Sequence, residues 1–214
     1  MHDPIVIAID GPAASGKGTL ARRLALHFGL HYLDTGKLYR ATALGVIAAR
    51  GDPADPRAAE KAAQNISLAG LDDPRLSAED VAKASSVVAA IPAVRAALLE
   101  LQRRFARCPP GAVLDGRDIG TVVCPDATVK LFVTASLEAR AKRRLKELRE
   151  RGAAAIYDAV LQGMKERDAR DSERRVAPLA AAPDAVTIDT TLLDADQVFE
   201  RACDLIARTP AART

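Results

Sequence analysis

The sequence predicts an α/β fold built on a parallel sheet of five strands. Two observations support this class. Short runs rich in Val and Ile alternate along the chain with longer segments of helical periodicity. The first run, residues 4–10, is apolar almost throughout and ends at Gly11-Pro12, which is typical of a buried strand in a parallel sheet.

Each element follows from its local pattern. Strands are predicted at residues 4–10, 31–34, 112–115, 128–134 and 185–189. Helical periodicity covers residues 18–28, 37–50, 77–107 with a break at Pro92, 136–151, 156–171 and 194–208. Residues 51–77 contain three prolines and several aspartates with weak periodicity, so we expect an insertion that is partly loop.

Composition limits the possible functions. The 214 residues fit one domain, 1–214, and 49% hydrophobic residues can fill one core. The net charge of +3 and the 3% of aromatic residues do not favour a nucleic-acid partner, because single-strand binders stack bases on aromatic rings. The chain has no apolar run near the ~18 residues of a membrane span, so we expect no membrane partner.

The cysteines and the N-terminus predict a cytoplasmic location. The chain has an odd number of cysteines, namely Cys108, Cys124 and Cys203, and no two of them form a CxxC pair. The sequence therefore indicates neither a disulfide framework nor a zinc site. The first twelve residues lack the basic and apolar regions of a signal peptide. Cys124 is expected to be a packed small hydrophobic residue, and His27 with His31 is not expected to bind a metal.

A phosphate-binding motif lies between the first strand and the first helix. It matches GxxxxGK and consists of Gly11, Pro12, Ala13, Ala14, Ser15, Gly16, Lys17, Gly18 and Thr19. Glycines let several backbone N–H groups point at phosphate oxygens, and the following helix adds its positive end. Lys17 supplies a cation for the β- and γ-phosphates, which makes it a candidate catalytic residue.

One position departs from the common motif. Gly18 stands where Ser or Thr usually follows the lysine, and the hydroxyl comes one place later, at Thr19. We therefore expect Thr19 to serve Mg²⁺. The motif alone does not separate kinases from other nucleotidases, although the chain lacks the NKxD segment of GTPases.

Two further motifs follow predicted strands. Residues 34–40 read DTGKLYR and residues 115–121 read DGRDIGT, and each brings an arginine, Arg40 or Arg117, to the edge where parallel sheets bind ligands. The planar guanidinium group is suited to holding a monophosphate through two oxygens.

A charged segment near the C-terminal third suggests a mobile lid. Five Lys or Arg residues fall within residues 165–175, and Arg167, Asp171 and Arg174 share one helical face. A run of charges of this kind usually forms a solvated helix. Because this one accompanies a phosphate-binding loop, we favour a mobile lid whose arginines cover the γ-phosphate. The other basic helix, residues 140–151, is expected to be a solvated face leading to this lid.

These motifs, in this order, resemble those of bacterial cytidylate kinases. The segments GPAASGKGT, DTGKLYR, ASSVVAAIPAVR, LDGRDIGT and RDARDSERRVAPL carry the resemblance, which spans residues 5–205. It implies a P-loop NTPase-type three-layer fold with helices on both faces of the sheet. It also implies transfer of the γ-phosphoryl group of ATP to CMP or dCMP with Mg²⁺. The lid would be about residues 152–182, and residues 51–77 would be the acceptor-side insertion.

The resemblance also implies roles for individual residues. Arg40 and Arg117 would bind the acceptor phosphate, with a hydroxyl from Thr35. The cytosine would be surrounded by Ser86, Arg95, Asp118 and Arg174. Asp171 would take the ribose hydroxyls, and Arg167 and Arg170 would be lid arginines that act in catalysis. A carboxylate that accepts from the cytosine amino group would reject uracil, so CMP should be strongly preferred to UMP.

Two other classes of protein remain open at this stage. One is another small-molecule kinase, such as an adenylate or shikimate kinase. The other is a non-catalytic nucleotide sensor or a nucleic-acid-stimulated NTPase. We expect a monomer in each kinase case.

Overall fold

The computed structural model describes residues 4–209; residues 1–3 and 210–214 of the predicted 1–214 domain lie outside this part. Five parallel strands form one sheet in the order β2-β3-β1-β4-β5, which confirms the predicted class. The strands are β1 (Ile5–Asp10), β2 (His31–Asp34), β3 (Gly111–Gly116), β4 (Val129–Thr134) and β5 (Val186–Asp189).

Eight helices surround the sheet within the described residues. They are α1 (Lys17–Phe28), α2 (Thr35–Ala48), α3 (Pro56–Gln64), α4 (Glu79–Val88), α5 (Pro92–Ala106), α6 (Leu137–Glu150), α7 (Tyr157–Glu173) and α8 (Ala195–Arg208). Gly29 ends α1 in the left-handed conformation, with φ of 65°. Pro92 begins α5, where its missing N–H costs no helical hydrogen bond.

The side chains of the central strand alternate between two cores. Ile7 and Ile9 pack with Leu24 of α1 on one face of the sheet. Ala8 packs with Leu38 of α2 and other helical residues on the opposite face. Helices therefore cover both faces, as the resemblance implied, and the strand ends remain free to form a site at one edge.

The insertion contains more helix than its sequence predicts. Between residues 51 and 77, all of which are described, the chain forms α3 and two short 3₁₀ turns, Leu68–Asp72 and Pro74–Ser77, and no strand. Asp55 caps α3 by accepting from the backbone N–H of Arg57. Ala59 and Ala63 are buried in the core, so small side chains let this short helix pack closely.

In the described part of the chain no single helix is long and apolar enough to cross a membrane. The broken pair α4 and α5 passes that test only when taken together, and it is bent by 99°.

Candidate active site

The phosphate-binding loop leaves the end of β1 and enters α1. Gly11 is required there, because a Cβ atom would lie 1.9 Å from the carbonyl oxygen of Val133 on the neighbouring strand. The Nζ of Lys17 donates to the carbonyl oxygen of Pro12 at 3.4 Å and so folds back over the loop. Desolvation of the ammonium group, together with the charge of Arg117, lowers the pKa of Lys17 to about 8. A bound polyphosphate would reverse that shift, because opposite charge favours the protonated form.

Two carboxylates face this loop from adjacent strands. Asp34 ends β2 and is the register partner of Asp115 in β3. Burial, followed by the charge of Asp34, raises the pKa of Asp115 to about 7. A side chain at Gly18 would be tight, because its Cβ atom would lie 3.0 Å from Asp115 Oδ2 and the carboxylate would have to shift. The carboxylate thus occupies the space beside Lys17 where the common motif has a hydroxyl.

A cavity of about 800 Å³ opens above the loop. Its walls include Ala13, Ala14, Lys17, Gly18, Asp34, Arg40, Asp115, Arg144 and Glu147. A second cavity of about 430 Å³ adjoins it. Seven of the eight predicted acceptor residues line this smaller cavity: Thr35, Ser86, Arg95, Arg117, Asp118, Asp171 and Arg174. Gly36, Arg117 and Arg167 line both cavities, so two ligands would meet at these arginines.

The smaller cavity presents a donor beside an acceptor. Asp118, which is 5% exposed, accepts through Oδ2 from Arg95. Its other oxygen, Oδ1, lies 3.6 Å from NH2 of Arg174, which is too long for a hydrogen bond. Within residues 4–209, that buried NH2 has no hydrogen-bond partner. A buried donor without a partner is costly, so the pair is suited to a ligand that offers an acceptor and a donor side by side.

Arginine side chains surround Asp171 in the wall of the smaller cavity. Asp171 is buried and accepts from Nε of Arg117 at 2.9 Å. Burial alone would raise the pKa of Asp171, but the charges of Arg117 and Arg167 hold it below its ordinary value. Asp171 is therefore ionised at neutral pH and can accept hydrogen bonds from hydroxyl groups.

Known proteins match this chain over nearly its whole length. The family model described as cytidylate kinase matches residues 7–208. The chain belongs to the cytidylate kinase family. Two relatives named cytidylate kinase are each 60% identical: that of Paramagnetospirillum magneticum over 204 residues (94% of this chain, 97% of the relative) and that of Rhodospirillum rubrum over 207 residues (95% and 97%). The cytidylate kinase of Rhodopseudomonas palustris is 52% identical over 209 residues and covers 98% of this chain and 99% of its own.

Solved structures agree on the fold. An uncharacterised protein from Eubacterium ventriosum superposes with a TM-score of 0.52 at 16% identity, covering 95% of this chain and 99% of its own. A chain from Chloroflexus aurantiacus gives a TM-score of 0.51 at 16% identity, covering 98% and 99%. These identities are low, so the superpositions support the overall fold alone.

In this cytidylate kinase family member, Thr19 and Arg170 are among the predicted site residues that line neither cavity. Thr19 is exposed at the start of α1, and its part in holding Mg²⁺ stays a prediction. Arg170 also lines neither cavity, and its NH1 donates to Ser86 Oγ at 2.7 Å. The cause is geometric: Arg170 lies about one helical turn beyond Arg167, which moves it toward α4 and away from the phosphate loop.

Arg40 and Arg167 both line the larger cavity, and Arg167 also lines the smaller one. The NH1 of Arg40 donates to the carbonyl oxygen of Leu76 at 2.8 Å, and its side chain lines the larger cavity. Burial and the neighbouring Arg117 lower the pKa of Arg167 to about 10. Its buried Nε has no hydrogen-bond partner among residues 4–209, which leaves it available for an anion.

Sequence reasoning missed several site residues. Asp34 and Asp115 begin the two motifs that follow β2 and β3, so acids at adjacent strand ends were the signal that could have found them. Arg144 and Glu147 line the larger cavity from α6, and their charge pattern alone does not distinguish them from a solvated face. Cys124 is 4% exposed within the core, as its predicted packing role requires.

Proposed function

We propose that the chain transfers the γ-phosphoryl group of ATP to CMP or dCMP and releases ADP with CDP or dCDP. The observation that carries this proposal is the pair formed by Asp118 Oδ1 and Arg174 NH2, 3.6 Å apart in the smaller cavity. Cytosine offers an amino donor next to the N3 acceptor, which complements a carboxylate oxygen next to a guanidinium N–H. Uracil offers a carbonyl and an N–H in these places, so both protein groups would face like partners.

The remaining acceptor contacts follow from the cavity walls. In this proposal the CMP phosphate lies at the junction of the two cavities, where Arg117 and Arg40 hold its oxygens. Asp171 accepts hydrogen bonds from the sugar hydroxyls, and Ser86 also lines this cavity. The triphosphate group of ATP lies in the larger cavity, over the phosphate-binding loop at residues 11–19.

The reaction needs alignment more than covalent catalysis. An oxygen of the CMP phosphate attacks the γ-phosphorus in line, while the bond from that phosphorus to the bridging oxygen breaks and ADP leaves. The CMP phosphate is largely ionised near neutral pH, so no strong general base is required. Lys17, Arg117 and Arg167 neutralise the charge that spreads over the transferred group. Closure of α7 over the cavities would exclude water and prevent hydrolysis of ATP.

The residues beside Lys17 fit a magnesium ion. Mg²⁺ prefers hard oxygen ligands, and Asp34 and Asp115 supply carboxylates beside the phosphate loop. We therefore propose these two residues, in place of the exposed Thr19, as the ones that would hold it. Bound Mg²⁺ would neutralise charge on the β- and γ-phosphates.

The proposal describes a monomeric enzyme of the cytoplasm. Residues of one chain form the walls of both cavities, so no second copy is needed to complete them. The described cysteines are unpaired, which fits a reducing compartment.

A product assay tests the proposed reaction. Purified protein is incubated with ATP, Mg²⁺ and one acceptor from the set CMP, dCMP, UMP, AMP and shikimate, and the nucleotides are separated by ion-exchange chromatography. We expect CDP and dCDP to form with equal amounts of ADP, and UMP to react far more slowly. Preferred phosphorylation of AMP or shikimate would identify another small-molecule kinase. ADP formation without a phosphorylated acceptor, or stimulated by RNA or DNA, would identify a sensor or NTPase.

A further inference from the structure

The basic helix α6 is only partly the solvated face that its sequence predicts, because Lys142, Lys146 and Arg149 are exposed whereas Arg140 is buried. Arg140 is only 6% exposed, and it lines neither cavity. Its guanidinium contacts three different segments. Nε donates to the carbonyl oxygen of Ala135 at 3.0 Å, NH1 donates to that of Ala13 at 3.4 Å, and NH2 donates to Asp168 Oδ2 at 2.7 Å. The partners belong to the end of β4, the phosphate loop and helix α7.

The contact with Ala13 bears on the phosphate loop. N–H groups can point into the cradle only if the intervening carbonyl groups point outward and find donors there. Arg140 meets the carbonyl of Ala13, and Thr190 Oγ1 donates to the carbonyl of Ser15 at 2.9 Å. Arg143, one turn along α6 from Arg140, supports this arrangement by donating to Thr190 Oγ1 at 2.8 Å. Helix α6 thus backs the cradle with two arginines.

The contact with Asp168 bears on the lid. Asp168 is adjacent to Arg167, the arginine that lines both cavities. Its Oδ1 is buried and has no hydrogen-bond partner among residues 4–209, while Oδ2 binds Arg140. Because the backbone of a helix is stiff, fixing Asp168 also fixes the direction in which Arg167 projects.

We infer that Arg140 is a positioning residue that ties helix α7 to the phosphate loop through Asp168, and thereby sets Arg167 over the transferred phosphoryl group. The inference rests on the proposed phosphoryl transfer. An arginine cannot lose its proton to escape burial, so its position is stable only while a carboxylate compensates it. Separation of α7 from α6 leaves that charge with carbonyl partners alone, which biases the lid toward the closed position.

The test uses Asp168→Asn, Arg140→Met and the double variant. Glu150→Gln is the matched control, because it makes the same change in an exposed pair with Lys146 on the same helix, at 3.8 Å. Turnover, the KM for CMP and the fraction of ATP hydrolysed without transfer are measured for each. We expect Asp168→Asn to lower kcat about tenfold and to raise the hydrolysed fraction, because misplacement by about 1 Å costs up to ~10²-fold. The KM for CMP should change little.

The double variant tests whether the two residues act through each other. If they do, it loses no more turnover than the worse single variant, because the pair is already broken. Multiplied losses, or an unchanged hydrolysed fraction in Asp168→Asn, would overturn the inference. If Arg140→Met does not fold, the comparison of Asp168→Asn with the wild type and with Glu150→Gln still tests the inference.

Amide hydrogen exchange separates this inference from the proposed function. It is measured on ligand-free protein for the residues of α7, and we expect exchange in Asp168→Asn about tenfold faster than in the wild type, with Glu150→Gln unchanged. Unchanged exchange would show that Arg140 does not hold the lid, whatever the substrate. If the wild type transferred no phosphoryl group to CMP but exchange was faster in Asp168→Asn, the proposed function would be overturned. The inferred link between α7 and the phosphate loop would still stand.

Discussion

Replacing Asp118 by asparagine changes the acceptor pocket at one atom pair. Asp118 shares its carboxylate between Arg95 at Oδ2 and the region of Arg174 at Oδ1. An asparagine keeps its one oxygen on the charged Arg95, so its amino group turns to the side of the base. Two donors, that amino group and Arg174 NH2, then face the ligand where one acceptor and one donor stood.

The magnitude follows from the lost hydrogen bond. The cytosine amino group would be left without an acceptor, which costs about 1–3 kcal/mol, or roughly 5- to 150-fold in kcat/KM for CMP. The carbonyl of uracil would gain a donor, so kcat/KM for UMP should not fall. We therefore expect the ratio of kcat/KM for CMP to kcat/KM for UMP to fall at least about fivefold.

Stability changes in the same variant and needs its own measurement. Arg95 and Asp118 are each 7% exposed at their side chains, and removing one partner of a buried pair costs about 3–5 kcal/mol of folding free energy. Thermal unfolding is therefore followed alongside steady-state kinetics with CMP and UMP, at a temperature where the variant is folded. Asp184→Asn is the control, because Asp184 is 64% exposed at its side chain and pairs with Lys130 away from the cavities. A CMP/UMP ratio equal to that of the wild type would refute the assignment of Asp118 to the base.

Three other predictions concern groups around the cradle. Lys17→Ala should lower turnover by about 10² or more without lowering the melting temperature, because it removes a desolvated charge beside Arg117; near-normal turnover would contradict this. Arg117→Lys should raise the KM for CMP about tenfold, because lysine lacks the fork that also binds Asp171, and an unchanged KM in steady-state kinetics would contradict this. Burial raises the pKa of Asp10 from 3.8 to about 6, so the folded state binds more protons than the unfolded state between those pH values. Urea unfolding should then show about 2 kcal/mol of stability lost as pH rises from about 4 to 6, with a flatter slope in Asp10→Asn; equal slopes would contradict this.

The periodicity of the apolar residues, with the Gly and Pro residues between segments, was enough to predict the sheet. β2 spans His31–Asp34 as predicted, and the break at Pro92 separates α4 from α5 because the residue before proline avoids the helical conformation. The insertion was harder to predict. Its helix α3 depends on packing of Ala59 and Ala63 against the core, and tertiary contacts of that kind leave little trace in a short alanine-rich segment.

Motifs were enough to predict which segments line the two cavities, but not how each side chain is placed there. Asp118 and Arg174 are distant in sequence, and only the fold sets Oδ1 and NH2 3.6 Å apart. Helix α6 illustrates the other limit. Its alternating charges are typical of a solvated helix, whereas burial of Arg140 depends on partners just after β4, in the phosphate loop and in α7. A charge pattern indicates the helix and leaves its buried face undetermined.

The most direct test of the account is a crystal structure of the protein with CMP and a non-hydrolysable ATP analogue bound together. We predict that the cytosine amino group lies within hydrogen-bond distance of Asp118 Oδ1 and that N3 accepts from Arg174 NH2. We also predict that Arg117 and Arg167 lie between the two phosphate groups. Guanidinium groups turned away from both nucleotides, or a cytosine outside the smaller cavity, would contradict it.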